Sequence, residues 1–268
     1  MVWPRSDSTI GRALDLYGEF AEGENDVMRR YLCAGNTAVD IGANLGTTAL
    51  AMAAAVGDTG HVLAFEPQPL IGQCLSTSLT LNERFNVRVV SAAVSAVPGW
   101  ATMPLLDIRV GGNFGALGLL ERDALTSSKE MLRTPLVRLD DHDIDQCHLI
   151  KIDVESHEFQ VLQGAESTLK RHRPVLYLEA KRRPGTSAYL DYLLKNGWRC
   201  YWHFAFFYRL NNFRRNPHNV FGGTGDMNVL AVPHELIQPD DLPEISSADD
   251  DWRIVYSNYY RARGTEPL

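Results

Sequence analysis

The stretch "AVDIGANLGTTAL", residues 38–50, decides the fold. A short apolar run stops at an acid, Asp40, and the chain then sets Gly42, Asn44 and Gly46 before a segment of helical character. A glycine loop between a strand and a helix lets backbone approach a ligand, and the helix N-terminus offers free N–H groups to a negative group. A dinucleotide fingerprint requires G-x-G-x-x-G, so that a pyrophosphate can rest on the helix. Here the glycines are spaced G-x-x-x-G with a carboxylate just before them, which would repel a pyrophosphate but suits the ammonium and sulfonium neighbourhood of S-adenosylmethionine.

The second acid of the pattern is Glu66, which ends the next apolar run in "AFEPQP". A carboxylate at the tip of the second strand can accept two hydrogen bonds from ribose hydroxyls. That reading points to an adenosine-type ligand without choosing between cofactors.

Outward from these motifs the chain alternates. "TAVDI" (37–41), "HVLAFE" (61–66), "VRVV" (87–90), "HLIKIDV" (148–154) and "PVLYLEA" (174–180) read as strands; 46–56, 69–82, 158–171 and 186–195 read as helices. The alternation predicts an α/β domain with a mainly parallel sheet, helices on both faces, and the ligand at the carboxyl ends of the strands. Residues 1–36 form a helical preface broken around Gly18 and Gly23, and 37–233 the main domain. Two irregular stretches near 94–139 and 201–226 are expected to shape the substrate site, the first with a hairpin at Pro98-Gly99. Residues 234–268 form a tail, acidic and proline-punctuated from Pro239 to Asp251, expected to be a loose connector.

Composition narrows the function. The chain has 268 residues, 45% of them hydrophobic, which fits one sizeable domain with additions. Its formal charge of −7 argues against a nucleic-acid backbone binder. Four scattered cysteines suggest neither a zinc site nor a disulfide framework. The N-terminus lacks the apolar core of a signal peptide and no run is long enough to span a membrane, so a cytoplasmic protein is expected.

These motifs resemble the FkbM family of methyltransferases. The likeness is carried in matching order by "TAVDIGANLGTTALAMA", "GHVLAFEPQP", "NVRVVSAAVS", "VRLDD", "LIKIDVESHEFQVLQGAESTLKRHRPVLYLE", "NNF" and "MNVLAVP", and covers about residues 15 to 233. The resemblance implies a class I methyltransferase fold, Rossmann-like, with a seven-stranded sheet whose last strand is antiparallel. It also implies S-adenosyl-L-methionine as donor and usually a hydroxyl acceptor on sugars, lipids or secondary metabolites. Asp40, Gly42, Ala43, Asn44, Gly46 and Thr47 match the donor loop, and Glu66 with Pro67 the ribose acid and its turn. Ser91, Ala92 and Ala93 stand where adenine would be met. Asp153 and Glu155 match the D-V-E of the fourth-strand motif; there the family usually continues with glycine, and this chain has Ser156 and then His157.

Methyl transfer to a hydroxyl needs the acceptor oxygen held near the donor and its proton removed as charge develops. Candidates are Asp153, Glu155, His157, Glu179 and His203. Asp153 is expected to orient donor or acceptor, and His203, in "YWHFAFF", has the free pKa suited to a base. His157 reads as exposed helix surface. Asp153 and Glu179 could converge on a divalent ion, but no third ligand is evident and no metal is expected. The run Asp140, Asp141, Asp143, Asp145 reads as turn capping, and Lys181, Arg182 and Arg183 as surface or as an anchor for an anionic acceptor. The expected function is O-methyl transfer to a sugar-containing or natural-product acceptor. A catalytically silent donor-binding protein is the alternative, and a nicotinamide oxidoreductase a distant third.

Overall fold

In the computed structural model, residues 1–116, 130–180, 185–255 and 257 are described. The chain begins with two helices, α1 (Ile10–Tyr17) and α2 (Glu22–Arg29), and then alternates: β1 (Thr37–Ile41), α3 (Thr47–Val56), β2 (His61–Phe65), α4 (Pro69–Leu81), β3 (Val87–Val90). Three strands follow outside that rhythm: β4 (Ala93–Val94), β5 (Gly99–Pro104) and β6 (Met131–Val137). The alternation resumes with β7 (Leu149–Ile152), α5 (Glu158–Gln163), α6 (Glu166–His172), β8 (Val175–Glu179) and α7 (Gly185–Lys195). It closes with β9 (Trp198–Phe206), β10 (Gly225–Pro233) and β11 (Glu244–Ile245).

The main sheet runs β11-β9-β10-β8-β7-β1-β2-β3. β3, β2, β1, β7 and β8 pair in parallel, whereas β10 is antiparallel to both β8 and β9. This is the seven-strand order of a class I methyltransferase with its last strand reversed, plus the short β11 at the edge. Both faces are covered, which is why the strands read as continuous apolar runs. Val39, Ile41, Phe65, Ile150, Ile152 and Leu178 face the layer that holds Val161, Leu162, Leu190 and Leu193. Ala38, Val62, Leu149, Val175 and Tyr177 face Val27, Met28, Met52, Ala53 and Val56. The period-two alternation along each strand thus splits the apolar residues between two helical layers.

Several local expectations change. Gly23 lies inside α2; the break between the first two helices is at Gly18, a left-handed residue with φ 74° that closes α1. β4 and β5 do not pair with each other across Pro98-Gly99, since both flank β6, β4 in parallel and β5 antiparallel. "YWHFAF" belongs to β9, because alternate residues there serve the two cores: Cys200 and Trp202 one side, Tyr201 the other. The tail is less loose than its composition suggests, since Leu242 and Ile245 are buried and the backbone N–H of Trp202 donates to Pro243 O at 2.9 Å.

The segment 158–171 is two helices, and Asp140 shows why. Its carboxylate accepts from the N–H groups of Ser167 and Thr168, both at 2.9 Å, and from the Thr168 hydroxyl at 2.8 Å. A non-local acid thereby caps a fresh helix start just after Gly164. Asp141, its neighbour, pairs with Arg138. Asp140→Ala is expected to lower the unfolding free energy by about 1–2 kcal/mol, the usual cost of a lost N-cap; urea denaturation measures it, and an unchanged midpoint would contradict the capping role.

Candidate active site

A cleft opens at the carboxyl ends of the parallel strands. Its floor is the turn after β1 (Ile41 to Asn44), the turn after β2 (Glu66 to Gln68) and the turn after β7 (Asp153 to Glu155); Phe20, Ala21, Glu24 and Asn25 of the preface wall it from above.

Two neighbouring strand ends make the floor. β1 and β7 lie side by side with Asp40 opposite Lys151, so the chain after β1 crosses immediately beside the chain after β7. Gly42 permits this: a Cβ there would stand 1.9 Å from the carbonyl oxygen of Asp153, and its φ of 84° is left-handed. The glycine therefore serves the junction of two strand ends, beyond any approach to a ligand. The N–H groups of the loop are also engaged internally. Gly42 and Ala43 donate to Phe65 O at 3.0 and 2.9 Å, Gly46 donates to Ala43 O at 2.9 Å, and Asn44 donates to Glu66 Oε2 at 2.9 Å. Beside Gly42, Ala43 and Asn44, the start of α3 also lines the cleft, with Thr47 and Thr48.

Glu66 is buried, and its carboxylate accepts from Asn44 N and from Gln68 N at 2.8 Å. Those two bonds use half of the carboxylate's acceptor capacity. The remaining capacity fits a ribose diol, so the residues present suit an adenosyl ligand. Pro67, Ala92 and Ala93 line the same end of the cleft; Ser91 is exposed outside the lining. Gly46 and Asp40 do not line it either. Asp40 is fully buried beneath the loop, beside Lys151.

The other end of the cleft is acidic. Asp153, Glu155 and Glu179 each bring one carboxylate oxygen within 4.8 Å of the others, close enough to share a divalent cation. Glu155 supplies the third carboxylate that the sequence reading lacked for such a site; its backbone takes φ 56° and Ser156 takes φ 70°. Ser156 thus adopts a left-handed conformation that glycine takes more easily. Lys151 runs beneath, buried, with its ammonium 2.9 Å from Asp153 Oδ2. Although burial alone would lower its pKa, Asp153, Asp40 and Glu24 together raise it, so this lysine stays charged.

Two histidines fall elsewhere. His203 is not in the cleft lining; its Nδ1 lies 2.6 Å from the Tyr177 hydroxyl, and burial pushes its pKa down to about 4, with Arg30 adding to the effect. Such an imidazole is already neutral, but it lies outside the cleft lining. His157 is buried rather than exposed, and its Nε2 lies 2.9 Å from Ser95 Oγ, tying α5 to the end of β4. Lys181, Arg182 and Arg183 lie outside the described residues. Sequence reasoning missed Lys151, whose signal was a lone lysine inside an apolar strand, and Glu24, which sits in a preface without a motif.

The fold and this cleft define a class I methyltransferase. The methyltransferase FkbM domain matches residues 40–200, and the chain belongs to that family of S-adenosylmethionine-dependent methyltransferases. No curated protein matches the chain. Among solved structures, the methyltransferase FkbM from Methylobacillus flagellatus KT is similar with a TM-score of 0.48 and 16% identity, over 72% of this chain and 43% of that one. This chain therefore spans less than half of that protein. Aeropyrum pernix fibrillarin with bound S-adenosyl-L-methionine gives a TM-score of 0.47 and 13% identity, over 79% and 74%. A Thermotoga maritima SAM-dependent O-methyltransferase gives 0.45 and 13%, over 81% and 67%. Among the described residues, no helix is long and apolar enough to cross a membrane.

Burial raises the carboxyl of Glu24 to about 8, against the opposing pull of Lys151. It raises Glu66 to about 7, against two backbone donors, and Asp40 to about 6. Each group holds a proton in the fold at pH values where the unfolded chain has lost it, so these acids favour folding more as the pH falls. His142, His157 and His203, whose pKa values burial lowers, act in the opposite sense below their free value. The melting temperature of the ligand-free protein should therefore rise as pH falls from about 8.5 to about 6.5. Glu24→Gln should flatten the upper part of that curve. Calorimetric scans check this, and a melting temperature that falls across the window would contradict it.

Proposed function

We propose that this methyltransferase acts on a hydroxyl oxygen of a sugar-containing or natural-product acceptor, with Glu179 taking the hydroxyl proton. The observation that carries the reading is the convergence of Asp153, Glu155 and Glu179 at one end of a cleft whose other end holds Glu66. S-adenosylmethionine, when bound, supplies an activated methyl group. In this reading Glu66 accepts from the ribose hydroxyls, and the start of α3 faces the amino-acid end. Asp153, fixed by the buried Lys151, orients the reacting groups, and Glu179 at the tip of β8 faces the acceptor.

The acidic end of the cleft supports a neutral or hydrogen-donating acceptor over an anionic one. Among the described residues lining it, the cation is Lys151, and that ammonium is already paired with Asp153.

The test is turnover of donor to S-adenosylhomocysteine against a panel of glycans and hydroxylated natural products, with the added methyl located by mass spectrometry. Glu179→Gln should lower kcat by about 10²–10⁴-fold while leaving donor affinity unchanged. An unaffected kcat would remove Glu179 from proton transfer, and donor binding without turnover on any acceptor would favour a silent binding protein. The three converging carboxylates favour one second reading, a divalent ion that lowers the acceptor's pKa. Loss of activity with chelator, restored by magnesium, would select it.

A further inference from the structure

The loop between β9 and β10, residues 207–224, differs from the rest of the chain in charge. The chain carries a formal −7, yet this stretch, "FYRLNNFRRNPHNVFGGT", has three arginines, a histidine and no acid. Arg209 is tied to Glu19 and Asp26. Arg214 and Arg215 are exposed and, among the described residues, pair with no carboxylate. The same loop holds two apolar side chains out in water: Leu210, 74% exposed, and Phe213, 81% exposed.

This exposure is built in. Asn212 is buried under the turn, where its Nδ2 donates to Arg209 O at 2.9 Å and to Asn216 O at 2.8 Å, and its Oδ1 accepts from Asn216 N at 3.0 Å. The backbone is moored to the preface: Phe213 N donates to Glu19 Oε2 at 2.7 Å and Arg214 N to Tyr17 O at 3.0 Å. Gly18 leaves room for this, since a Cβ there would stand 2.9 Å from Phe213 Cδ1. A braced turn therefore presents Leu210 and Phe213 outward, where burying them against a partner is favourable.

A lone exposed apolar side chain is ordinary. Phe85 and Ile237 are as exposed, but Phe85 follows Glu83 at the opposite end of the parallel strands, and Ile237 stands between Glu235 and Asp240. In the β9–β10 loop the apolar tips have free arginines beside them and no acid, which matches a surface that is anionic at its boundary and apolar beneath. A nucleic acid fits less well, because Leu210 gives a base nothing to stack on and two free arginines are no broad basic footprint.

We propose that this loop docks the protein peripherally on an anionic lipid surface, with Leu210 and Phe213 entering the headgroup boundary and Arg214 and Arg215 meeting the phosphates. Phe207 at the start of the loop and Asp226 just past its end both line the cleft, so docking sets the mouth of the cleft beside the lipid. Two apolar side chains and two cations give a weak, reversible attachment. The proposal stands apart from the readings of Glu66 and Glu179 and from the choice of acceptor.

Co-sedimentation of the full chain with vesicles tests this, using phosphatidylcholine alone and phosphatidylcholine with about a third phosphatidylserine, at low ionic strength. The unmodified protein should pellet with the anionic vesicles, stay in solution with the neutral ones, and be released at about 0.5 M salt. Arg214→Gln with Arg215→Gln, and separately Leu210→Ser with Phe213→Ser, should each weaken partitioning roughly ten-fold or more. All four side chains are exposed, and circular dichroism checks that each variant folds. No pelleting of the unmodified protein with anionic vesicles would overturn the proposal, as would folded variants that pellet as well as it does. A dimer that Leu210→Ser with Phe213→Ser splits into monomers, with no vesicle binding, would also overturn it and assign the patch to a second copy of the chain.

Discussion

The site depends on one buried cation. Lys151 lies inside the sheet, opposite Asp40 on the neighbouring strand, paired with Asp153 and within the field of Glu24. A buried ammonium is tolerated only with close counter-charges, and carboxylates crowded together need a cation between them. The same ion therefore acts in two places. It lets Asp40 sit beneath the β1–α3 loop, and it holds the Asp153 carboxylate at the acidic end of the cleft. Removing it would leave buried acids uncompensated, a costlier outcome than the loss of one surface ion pair.

Around that centre, the parallel pairing of β1 and β7 brings donor loop and acidic turn together, and Gly42 allows the two chains to pass. The strained left-handed pair Glu155-Ser156 aims a third carboxylate at the same point. The added pieces line the cleft as well: α2 brings Glu24 and Asn25, and the insertion brings Met103, packed with Ala93. The long β9–β10 loop locks onto the preface, with Arg209 paired to Glu19 and the Tyr17 hydroxyl donating to His218 O at 2.8 Å.

Much of the fold was legible because the parallel strands are buried on both faces and announce themselves as apolar runs between helices. The positions of Glu66 and of Asp153 at strand tips followed from the same rhythm. Side-chain roles were less legible, since they depend on partners far along the chain. His203 has the free pKa of a base, yet it pairs with the Tyr177 hydroxyl and lies outside the cleft lining. His157 lies beside charged residues in sequence but meets Ser95, just past the end of β4. Asp40 separated methyl donor from dinucleotide correctly as to class, although it lies under the loop rather than facing the ligand. Lys151 carries no motif, and only its neighbours across the fold give it meaning.

The central claim, that one cleft joins a ribose-binding acid to a cluster of proton-accepting carboxylates, is tested most directly by a crystal structure of the complex with S-adenosyl-L-homocysteine. The account predicts both ribose hydroxyls within hydrogen-bond distance of Glu66 and the sulfur directed toward Asp153, Glu155 and Glu179. A nucleoside seated away from Glu66, or a sulfur pointing away from those three acids, would contradict it.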